Sequence, residues 1–572
     1  MPDLALEQAR LPGQPGPAPG PAPGAASVLT GGEAVVRALA AHGVTDAFGI
    51  PGTHNLEIYR HLRPYGIRHV TPRHEQGAGY AADAYARVSG RPGVAITTTG
   101  PALLNIAAAV GQAYSDSVPL LVVSPGMPLR HPRQSTGLLH EMRSQTEALR
   151  GVAAVSHRVA SVEEIGVAVA RAFTLFRTGR PRPVHIEVPL DLLEAVEPAG
   201  PPRLAPPAAP PAPDPEAVRA AARVLGSARR PALVLGGGAR TAAAECRALA
   251  GLLGAPVVTT ANGKGVVDER HPLSLGVSLH SPAVRSWLAD RDAVLAVGTE
   301  LAESDVWGPL PALAGRLIRV DVDPAQMYAG LPADVPLVGD APTVLGALLD
   351  ALTGAPTGAL TGTPPGSAGP RDDGADLAAD VTALRSSRDD ETRERDARWV
   401  PYLRAIRRVL AEDAVITSDS AQCCYYGALP HLPVGPEGRY LHPTGFGTLG
   451  YALPAAVGAK TACPERQVVA LSGDGGLQFS VQELATAAQT GLPLPVVVFD
   501  NGGYGEIREE MAARGDRPVA VDLPAVDLPA LARAYGGRGS VVRTPGELSA
   551  ALAEALLTPG PTVVTVPEED PR

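Results

Sequence analysis

The run Val468-Val469-Ala470-Leu471-Ser472-Gly473-Asp474-Gly475-Gly476 joins a continuous apolar stretch to a glycine-rich turn. Beyond the turn, apolar residues recur at helical spacing at Leu477, Val481, Leu484, Ala485 and Ala488. This order predicts a strand, a tight turn and the start of a helix. Backbone N–H groups at such a turn attract a phosphate, and glycines allow the phosphate to approach the backbone closely.

Similar apolar runs alternate with helix-period segments along the chain, which predicts parallel sheets covered by helices. The predicted strands are Asp46–Ile50, Gly93–Thr98, Leu120–Ser124, Val184–Val188, Ala232–Leu235, Ala255–Thr259, Ala293–Val297, Leu317–Val322, Ala414–Thr417, Gln467–Leu471, Pro495–Phe499 and Pro561–Val566. We therefore predict an α/β protein with three doubly wound domains, whose ligands lie at the carboxyl ends of the strands.

Composition places the boundaries of these domains. Stretches rich in Pro, Gly and Ala predict a disordered tail over residues 1–27 and linkers over 199–215 and 353–394. The predicted domains then cover residues 28–198, 216–352 and 395–572.

Charge and cysteine usage exclude several classes of function. The net charge is −10 and there is no long basic run, which argues against nucleic acid and membranes as partners. The 4 cysteines fit neither a zinc pattern nor a disulfide framework. There is no signal-peptide pattern, and the apolar runs are too short to span a bilayer. We expect a cytoplasmic protein.

A second strand places another polar residue near the glycine turn. The run Leu494 to Phe499 is followed by Asp500-Asn501-Gly502-Gly503-Tyr504. Adjacent parallel strands would bring Asn501 beside Asp474. Their side chains, a carbonyl near Gly503, phosphate oxygens and water would form the octahedral oxygen shell that Mg²⁺ prefers. The alternative is an ordinary strand, turn and helix without a ligand.

These motifs resemble the signature of the thiamine-diphosphate-dependent enzymes of the acetolactate synthase and pyruvate oxidase type. The runs Arg73–Tyr80, Thr99–Asn105 and Tyr114–Pro119 carry the resemblance as well, and it covers nearly the whole chain after residue 27. Asp500 and Ala102 depart from the usual Asn and Gly. Within the family, the runs around Glu75, Gln422 and Glu506 are most similar to the 2-ketoarginine (5-guanidino-2-oxopentanoate) decarboxylases.

The resemblance implies roles for individual residues. Glu75 would be the carboxylic acid that activates the thiamine ring, although a lone glutamate at this position is more often a solvated acid at a helix start. Leu449 would be the apolar residue that bends the cofactor, although it also suits plain core packing. The implied cofactor-binding residues are Pro51, Gly52, Gln422, Leu449, Gly473, Asp474, Gly475, Gly476, Asn501, Gly503 and Tyr504. The implied Mg²⁺ ligands are Asp474, Asn501 and Gly503. The implied substrate-facing residues are His54, His140, Glu141 and Glu506, of which the two acids suit a cationic guanidino group.

The resemblance also implies the reaction and the assembly. The expected reaction is decarboxylation of a small 2-oxo acid to an aldehyde, in a homodimer or homotetramer with active sites between subunits. Some relatives bind FAD in a Rossmann-like central domain, but Gly298–Asp305 here lacks the usual Arg-Phe-Asp-Asp run, so FAD is not expected. The alternatives are acetolactate synthase-type carboligation, a non-catalytic subunit and a Rossmann dehydrogenase.

Overall fold

Three parallel six-stranded sheets form the framework of the protein. The computed structural model describes residues 28–131, 135–205, 208–354 and 374–568, so the predicted tail lies outside the described residues. Helices cover the sheets, and a two-stranded antiparallel ribbon completes the first domain. The predicted α/β class with three parallel sheets is confirmed. Among the described residues, no helix has the length and apolar character that crossing a bilayer requires.

The N-terminal domain has the sheet order β3-β2-β4-β5-β7-β6. Its strands are β1 Val28–Thr30, β2 Asp46–Gly49, β3 Arg68–Val70, β4 Gly93–Ile96, β5 Leu120–Gly126, β6 Val155–Arg158, β7 Val184–Pro189 and β8 Val196–Pro198. Its helices are α1 Gly31–Ala41, α2 Leu56–Leu62, α3 Glu75–Ser89, α4 Pro101–Ser115, α5 Gln145–Arg150, α6 Val162–Thr178 and α7 Leu190–Glu194. The order reverses between β2 and β4, which is where ligands of such sheets bind.

The central domain has the sheet order β11-β10-β9-β12-β13-β14. Its strands are β9 Pro231–Leu235, β10 Val257–Thr259, β11 Ser274–Val277, β12 Ala293–Val297, β13 Arg316–Asp321 and β14 Val335–Val338. Its helices are α8 Pro215–Ser227, α9 Ala243–Leu253, α10 Pro282–Ala289, α11 Glu303–Val306 and α12 Ala341–Thr353.

The C-terminal domain has the sheet order β16-β15-β17-β18-β20-β19. Its strands are β15 Val415–Ser418, β16 Arg439–Leu441, β17 Val468–Gly473, β18 Leu494–Asp500, β19 Arg538–Val541 and β20 Pro561–Pro567. The helices that follow the central domain are α13 Gly374–Asp396, α14 Val400–Val409, α15 Leu429–His431, α16 Ala452–Ala462, α17 Asp474–Leu477, α18 Glu483–Thr490, α19 Gly505–Ala513, α20 Leu528–Ala534 and α21 Pro545–Ala555.

Part of the segment predicted as a second linker is helical. Helix α13 covers its second half and lies against the central domain, where Arg388 Nη1 donates to the carbonyl of Leu275 at 2.9 Å. In turn, Ser281 of the central domain donates its hydroxyl to Glu391 Oε2 of α13 at 2.6 Å. The Gly- and Pro-rich composition stops before this region, and the charged side chains that follow pair with the neighbouring domain.

The three domains meet at a partly buried polar cluster, which we call the domain junction and define by Arg87, Asp116, Asn262 and Thr444. Arg87 Nη2 pairs with Asp116 Oδ2 at 2.6 Å. Asn262, from the central domain, donates to Asp116 Oδ1 and to the Thr444 hydroxyl, each at 3.1 Å. Thr444, from the C-terminal domain, donates its hydroxyl to Asp116. Each domain therefore supplies at least one member of a single hydrogen-bonded network.

Candidate active site

The glycine turn and the metal motif lie side by side at the carboxyl edge of the C-terminal sheet. Strand β17 ends at Gly473, and α17 begins at Asp474. Strand β18 pairs with β17, so its end brings Asn501 next to the turn. The backbone N–H of Asn501 donates to Asp474 Oδ1 at 3.3 Å. The helix expected after the turn is split into α17 and α18, because residues 478–482 form turns with tighter backbone hydrogen bonds.

Oxygen atoms without donors collect beside this turn. Asn501 Oδ1 and Gln422 Oε1 are buried and have no hydrogen-bond partner among the described residues. Burial, followed by the nearby carboxylate of Asp500, raises the pKa of Asp474 to about 6. A buried polar atom without a partner costs free energy, so native proteins rarely leave one unpaired. The arrangement suits a cation with oxygen ligands.

The other turn residues close this edge around the same point. The Gly503 carbonyl lies 3.4 Å from the position that a Cβ on Gly475 would take, and the Tyr504 ring lies 3.1 Å from it. A side chain at Gly475 would therefore crowd both neighbours. A Cβ on Gly476 would likewise lie 3.1 Å from Cγ of the buried Asp419 carboxylate.

Asp419 joins three loops beneath the turn, and the sequence did not single it out. Its carboxylate accepts the Ser472 hydroxyl at 3.0 Å and the backbone N–H of Gly450 at 2.9 Å. Leu449 precedes that glycine and is half-buried. The loop that carries Leu449 is thus tied to the end of β17.

An acid with two donors lies beside the turn. Glu506 accepts Gln422 Nε2 at 3.0 Å and the Tyr426 hydroxyl at 2.8 Å. Tyr426 belongs to a π-helical turn over Cys423–Ala428, a distortion that often marks functional sites. Trp307 of the central domain meets the Tyr426 ring edge-on with 5.2 Å between centroids, and it is 41% exposed. Neither aromatic residue carries a pattern that would have singled it out in the sequence.

Glu75 lies at the carboxyl edge of the N-terminal sheet. It is the first residue of α3, which follows β3. Asn105 Nδ2, from α4, donates to Glu75 Oε2 at 2.9 Å. This contact leaves Oε1 for another partner. Asn105 lies in a run that the family resemblance covered, but its bond to Glu75 was not foreseen.

Two histidines share one hydroxyl at the same edge. His54 Nδ1 lies 2.6 Å from the Thr99 hydroxyl, and His140 Nδ1 lies 3.2 Å from that hydroxyl. Burial, followed by the charge of His140, lowers the pKa of His54. His140 has a φ of +60°, a strained backbone for a non-glycine residue. Asn55 holds the adjacent Pro51-Gly52 turn by accepting the N–H of Gly52 at 2.7 Å.

Glu141 has a different environment. Its carboxylate accepts the backbone N–H of Thr136 at 2.9 Å and of Gly137 at 2.8 Å, and it pairs with His131 at 2.9 Å. Within the chain it closes its own loop, so a role toward the substrate stays a prediction. The predicted site residues thus fall into two groups, at the edges of the first and third sheets. Among the described residues, no hydrogen bond or ion pair joins the two groups.

Comparison with known proteins decides the family. Models of thiamine pyrophosphate enzymes match the N-terminal TPP binding domain over residues 29–148, the central domain over 218–348 and the C-terminal TPP binding domain over 421–566. The "Probable 2-ketoarginine decarboxylase AruI" of Pseudomonas aeruginosa is 42% identical over 522 residues, which cover 91% of this chain and 90% of that protein. The chain belongs to the thiamine pyrophosphate enzyme family.

Other relatives of this thiamine pyrophosphate enzyme have acetolactate synthase names. The acetolactate synthase large subunit of Parasynechococcus marenigrum is 33% identical, with 95% of this chain and 88% of that protein covered. The acetolactate synthase of Arthrospira platensis is 33% identical, with 94% of each chain covered. The predicted membership of the thiamine-diphosphate-dependent enzymes is confirmed.

The residues of this thiamine pyrophosphate enzyme fit the cofactor that its family binds. The glycine turn lies between the end of a strand and the start of a helix, where backbone N–H groups attract a phosphate. The unpaired oxygens of Asn501 and Gln422 lie near the buried carboxyl of Asp474. Gly236 and Gly238 in the central domain pack directly against Gly298, so these glycines serve backbone packing there.

Proposed function

We propose that the protein decarboxylates a 2-oxo acid with thiamine diphosphate and Mg²⁺. The observation that carries the proposal is the cluster of Asp474 and the unpaired Asn501 Oδ1 beside the glycine turn. Mg²⁺ prefers six oxygen ligands and is usually held by one or two protein groups together with phosphate oxygens. Asp474, Asn501 and the Gly503 carbonyl would hold the metal, and Gly473–Gly476 would hold the diphosphate.

The protein groups orient the reaction and handle its protons. When bound, thiamine diphosphate would supply a ring carbon that is nucleophilic once deprotonated, and a ring that accepts the electron pair left behind as CO₂ departs. Glu75 would present Oε1 to the aminopyrimidine ring as the activating acid, because Asn105 Nδ2 donates to Oε2. The chain His54–Thr99–His140 supplies the proton that the aldehyde product needs, since a hydroxyl both accepts and donates.

We propose 2-ketoarginine as the substrate. The relative at 42% identity carries that substrate in its name. Glu506 supports the assignment, because a carboxylate held by Gln422 and Tyr426 beside the diphosphate turn is placed to bind a guanidinium group.

We propose that each active site forms between two subunits of a homodimer, or of a tetramer built from such dimers. Large apolar side chains are exposed beside both groups of site residues: Leu56, Leu104 and Leu139 in the first domain, and Phe479 and Ile507 in the third. Exposed apolar side chains that cluster around a site favour a protein partner.

Mixed dimers test this arrangement. A dimer of one Glu75→Gln chain and one Asp474→Ala chain has one doubly defective site and one intact site if each site joins two chains. We expect co-expression of the two inactive variants to restore activity, with each variant alone as the control. Absence of restored activity in an isolated mixed dimer would contradict the shared site.

A substrate panel tests the reaction. CO₂ release would be measured with 2-ketoarginine, pyruvate and a branched 2-oxo acid in parallel, together with the aldehyde or carboligation product. We expect CO₂ and aldehyde from 2-ketoarginine. Acetolactate from pyruvate would instead support the second candidate, acetolactate synthase-type carboligation, which the relatives at 33% identity favour.

Calorimetry tests the cofactor assignment. We expect heat of binding when thiamine diphosphate and Mg²⁺ are added together, and no binding to the Asp474→Ala variant. Binding to that variant at the original affinity would remove Asp474 from the metal site.

The cytoplasm is the compartment we propose, because all 4 cysteines are free thiols.

A further inference from the structure

Glu483 is a fully buried acid of the C-terminal domain that grips the loop before Glu75. Its side chain is 0% exposed. Its Oε1 accepts the backbone N–H groups of Arg73 and His74, each at 3.0 Å, and its Oε2 accepts the Arg73 N–H at 3.1 Å. The residues in contact are 410 and 409 positions apart in sequence. The gripped backbone therefore ends one residue before Glu75.

Neighbouring groups fix this carboxylate in place. The Thr486 hydroxyl donates to Glu483 Oε2 at 2.6 Å. Gly77 lies so close that a Cβ there would be 2.5 Å from Glu483 Oε1. At the surface, the Arg73 side chain contacts the same helix, where Arg73 Nη2 donates to Gln489 Oε1 at 2.9 Å. Burial raises the pKa of Glu483, while the hydroxyl and the two backbone N–H groups act against that rise.

The direction of these hydrogen bonds bears on Glu75. Helix α3 begins at Glu75, so its axis and the height of its first turn depend on the backbone of residues 73 and 74. A carboxylate that accepts both N–H groups allows little displacement of that backbone. A shift of about 1 Å in a catalytic group can cost on the order of 100-fold in rate.

We infer that Glu483 is a positioning residue, which sets the place of Glu75 through the backbone of Arg73 and His74. The inference rests on the proposed role of Glu75 as the activating acid. Glu483 begins α18, the second short helix after the diphosphate turn. One segment of the third domain thus carries both the diphosphate turn and the grip on the first domain's acid.

The test separates positioning from general stability. In full-length Glu483→Ala, we expect the thiazolium proton of bound thiamine diphosphate to exchange with deuterium about 100-fold more slowly, in step with turnover. NMR after acid quench reads this exchange. Calorimetry should give an unchanged cofactor affinity, because Asp474 and Asn501 are intact. Glu483→Gln keeps an oxygen for the two N–H groups and should restore most of the exchange rate.

Two controls sit on the same helix. Leu484→Ala removes a buried core side chain next to Glu483, so it should lower thermal stability without slowing the exchange. Gln489→Ala removes only the contact with the Arg73 side chain and should leave the exchange unchanged. A Glu483→Ala variant whose thiazolium proton exchanges at the original rate overturns the inference. The inference is also overturned if Leu484→Ala, at the same thermal stability as Glu483→Ala, slows the exchange by the same factor.

Two further outcomes keep the test decisive. If Glu483→Ala does not fold, Gly77→Ala takes its place, since its new methyl would displace the Glu483 carboxylate; exchange at the original rate would then overturn the inference. Full activity in Glu75→Gln would remove the assignment of Glu75 itself. Loss of activity in Glu75→Gln with normal exchange in Glu483→Ala would remove the positioning role alone.

Discussion

Glu75 and Glu506 are two half-buried acids whose different neighbours predict different phenotypes. Glu75 has one described donor on Oε2, the Asn105 amide, so a proton on Oε1 is compatible with its surroundings. Glu506 has a donor on each oxygen, so the carboxylate form suits its surroundings. The first arrangement suits an acid that donates, and the second suits an acid that attracts a cation.

The first prediction concerns Glu75→Gln. Because an amide cannot share a proton as the carboxyl does, we expect turnover to fall by about 100-fold or more, within the usual range for loss of an acid–base group. The thermal unfolding midpoint should not change, since Asn105 can still donate to the amide oxygen. CO₂ release and a thermal melt are the measurements, and unreduced turnover would contradict the role.

The second prediction concerns Glu506→Gln. Loss of the charge should raise the KM for 2-ketoarginine by about tenfold or more, because hydrogen bonds to charged groups contribute about 1.5–3 kcal/mol. The KM for an uncharged 2-oxo acid of similar length should not rise. Glu509→Gln, in the same helix α19 and with its carboxylate 3.6 Å from Arg398, is the matched control. An equal rise in KM for both substrates would show that Glu506 does not bind the guanidinium group.

At the scale of elements, α3 offers a separate prediction about stability. The helix ends at Ser89 and is capped by Gly90, which has a left-handed φ of +69° and open space within 4 Å of the position that a Cβ would take. Gly90→Ala should therefore lower the free energy of unfolding by about 1 kcal/mol, from backbone strain alone. Urea titration measures the loss, and CO₂ release should stay unchanged. A loss of activity would indicate that strain at this end reaches Glu75.

The elements also show how far the sequence predicts the fold. The predicted strands match the inner strands of the three sheets, for example β17 and β18. The strands that the sequence did not reveal in those sheets are the edge strands, β3, β6, β11, β14, β16 and β19. Inner strands of parallel sheets are covered on both faces and read as continuous apolar runs. The edge strand β19, for example, is partly exposed and mixes polar with apolar residues.

The site divides in a similar way. Asp474 and Asn501 could be foreseen, because each follows an apolar strand and neighbouring strand ends meet at one edge. Glu483, Asp419 and Tyr426 could not, because their partners lie in other loops and leave no spacing in the sequence. From sequence alone, a single acid in a helix is indistinguishable from a solvated surface residue, because its partners are distant in the chain.

At the scale of the whole molecule, a buried histidine makes stability depend on pH. His185 accepts or donates to the hydroxyls of Ser124 and Ser156, each at 2.8 Å, and burial lowers its pKa to about 3. In the unfolded chain its pKa is about 6.5. Between these values the unfolded chain binds a proton that the folded chain excludes, so the stability that His185 contributes falls as the pH falls below about 6.5.

The comparison with His185→Gln isolates this contribution. The stability advantage of the original protein should shrink by about 1.4 kcal/mol for each pH unit below about 6.5. Urea titrations at several pH values measure it. Burial raises the pKa of Asp83 to about 6 and of Asp305 to about 7, which acts in the opposite direction but equally in both proteins. A constant difference across pH would mean that His185 gains its proton at the same pH in the folded chain as in the unfolded chain.

The domain junction has a consequence for recombining this chain with its relatives. Arg87 and Asp116 are paired in the first domain, but Asn262 and Thr444 complete their hydrogen bonds from the other two. A chimera joined at the interdomain segments would preserve each sheet, but its junction would combine side chains from two different proteins. Functional domain chimeras should therefore exchange the junction residues as a set. The smallest unit that can be exchanged between relatives then includes residues from all three domains.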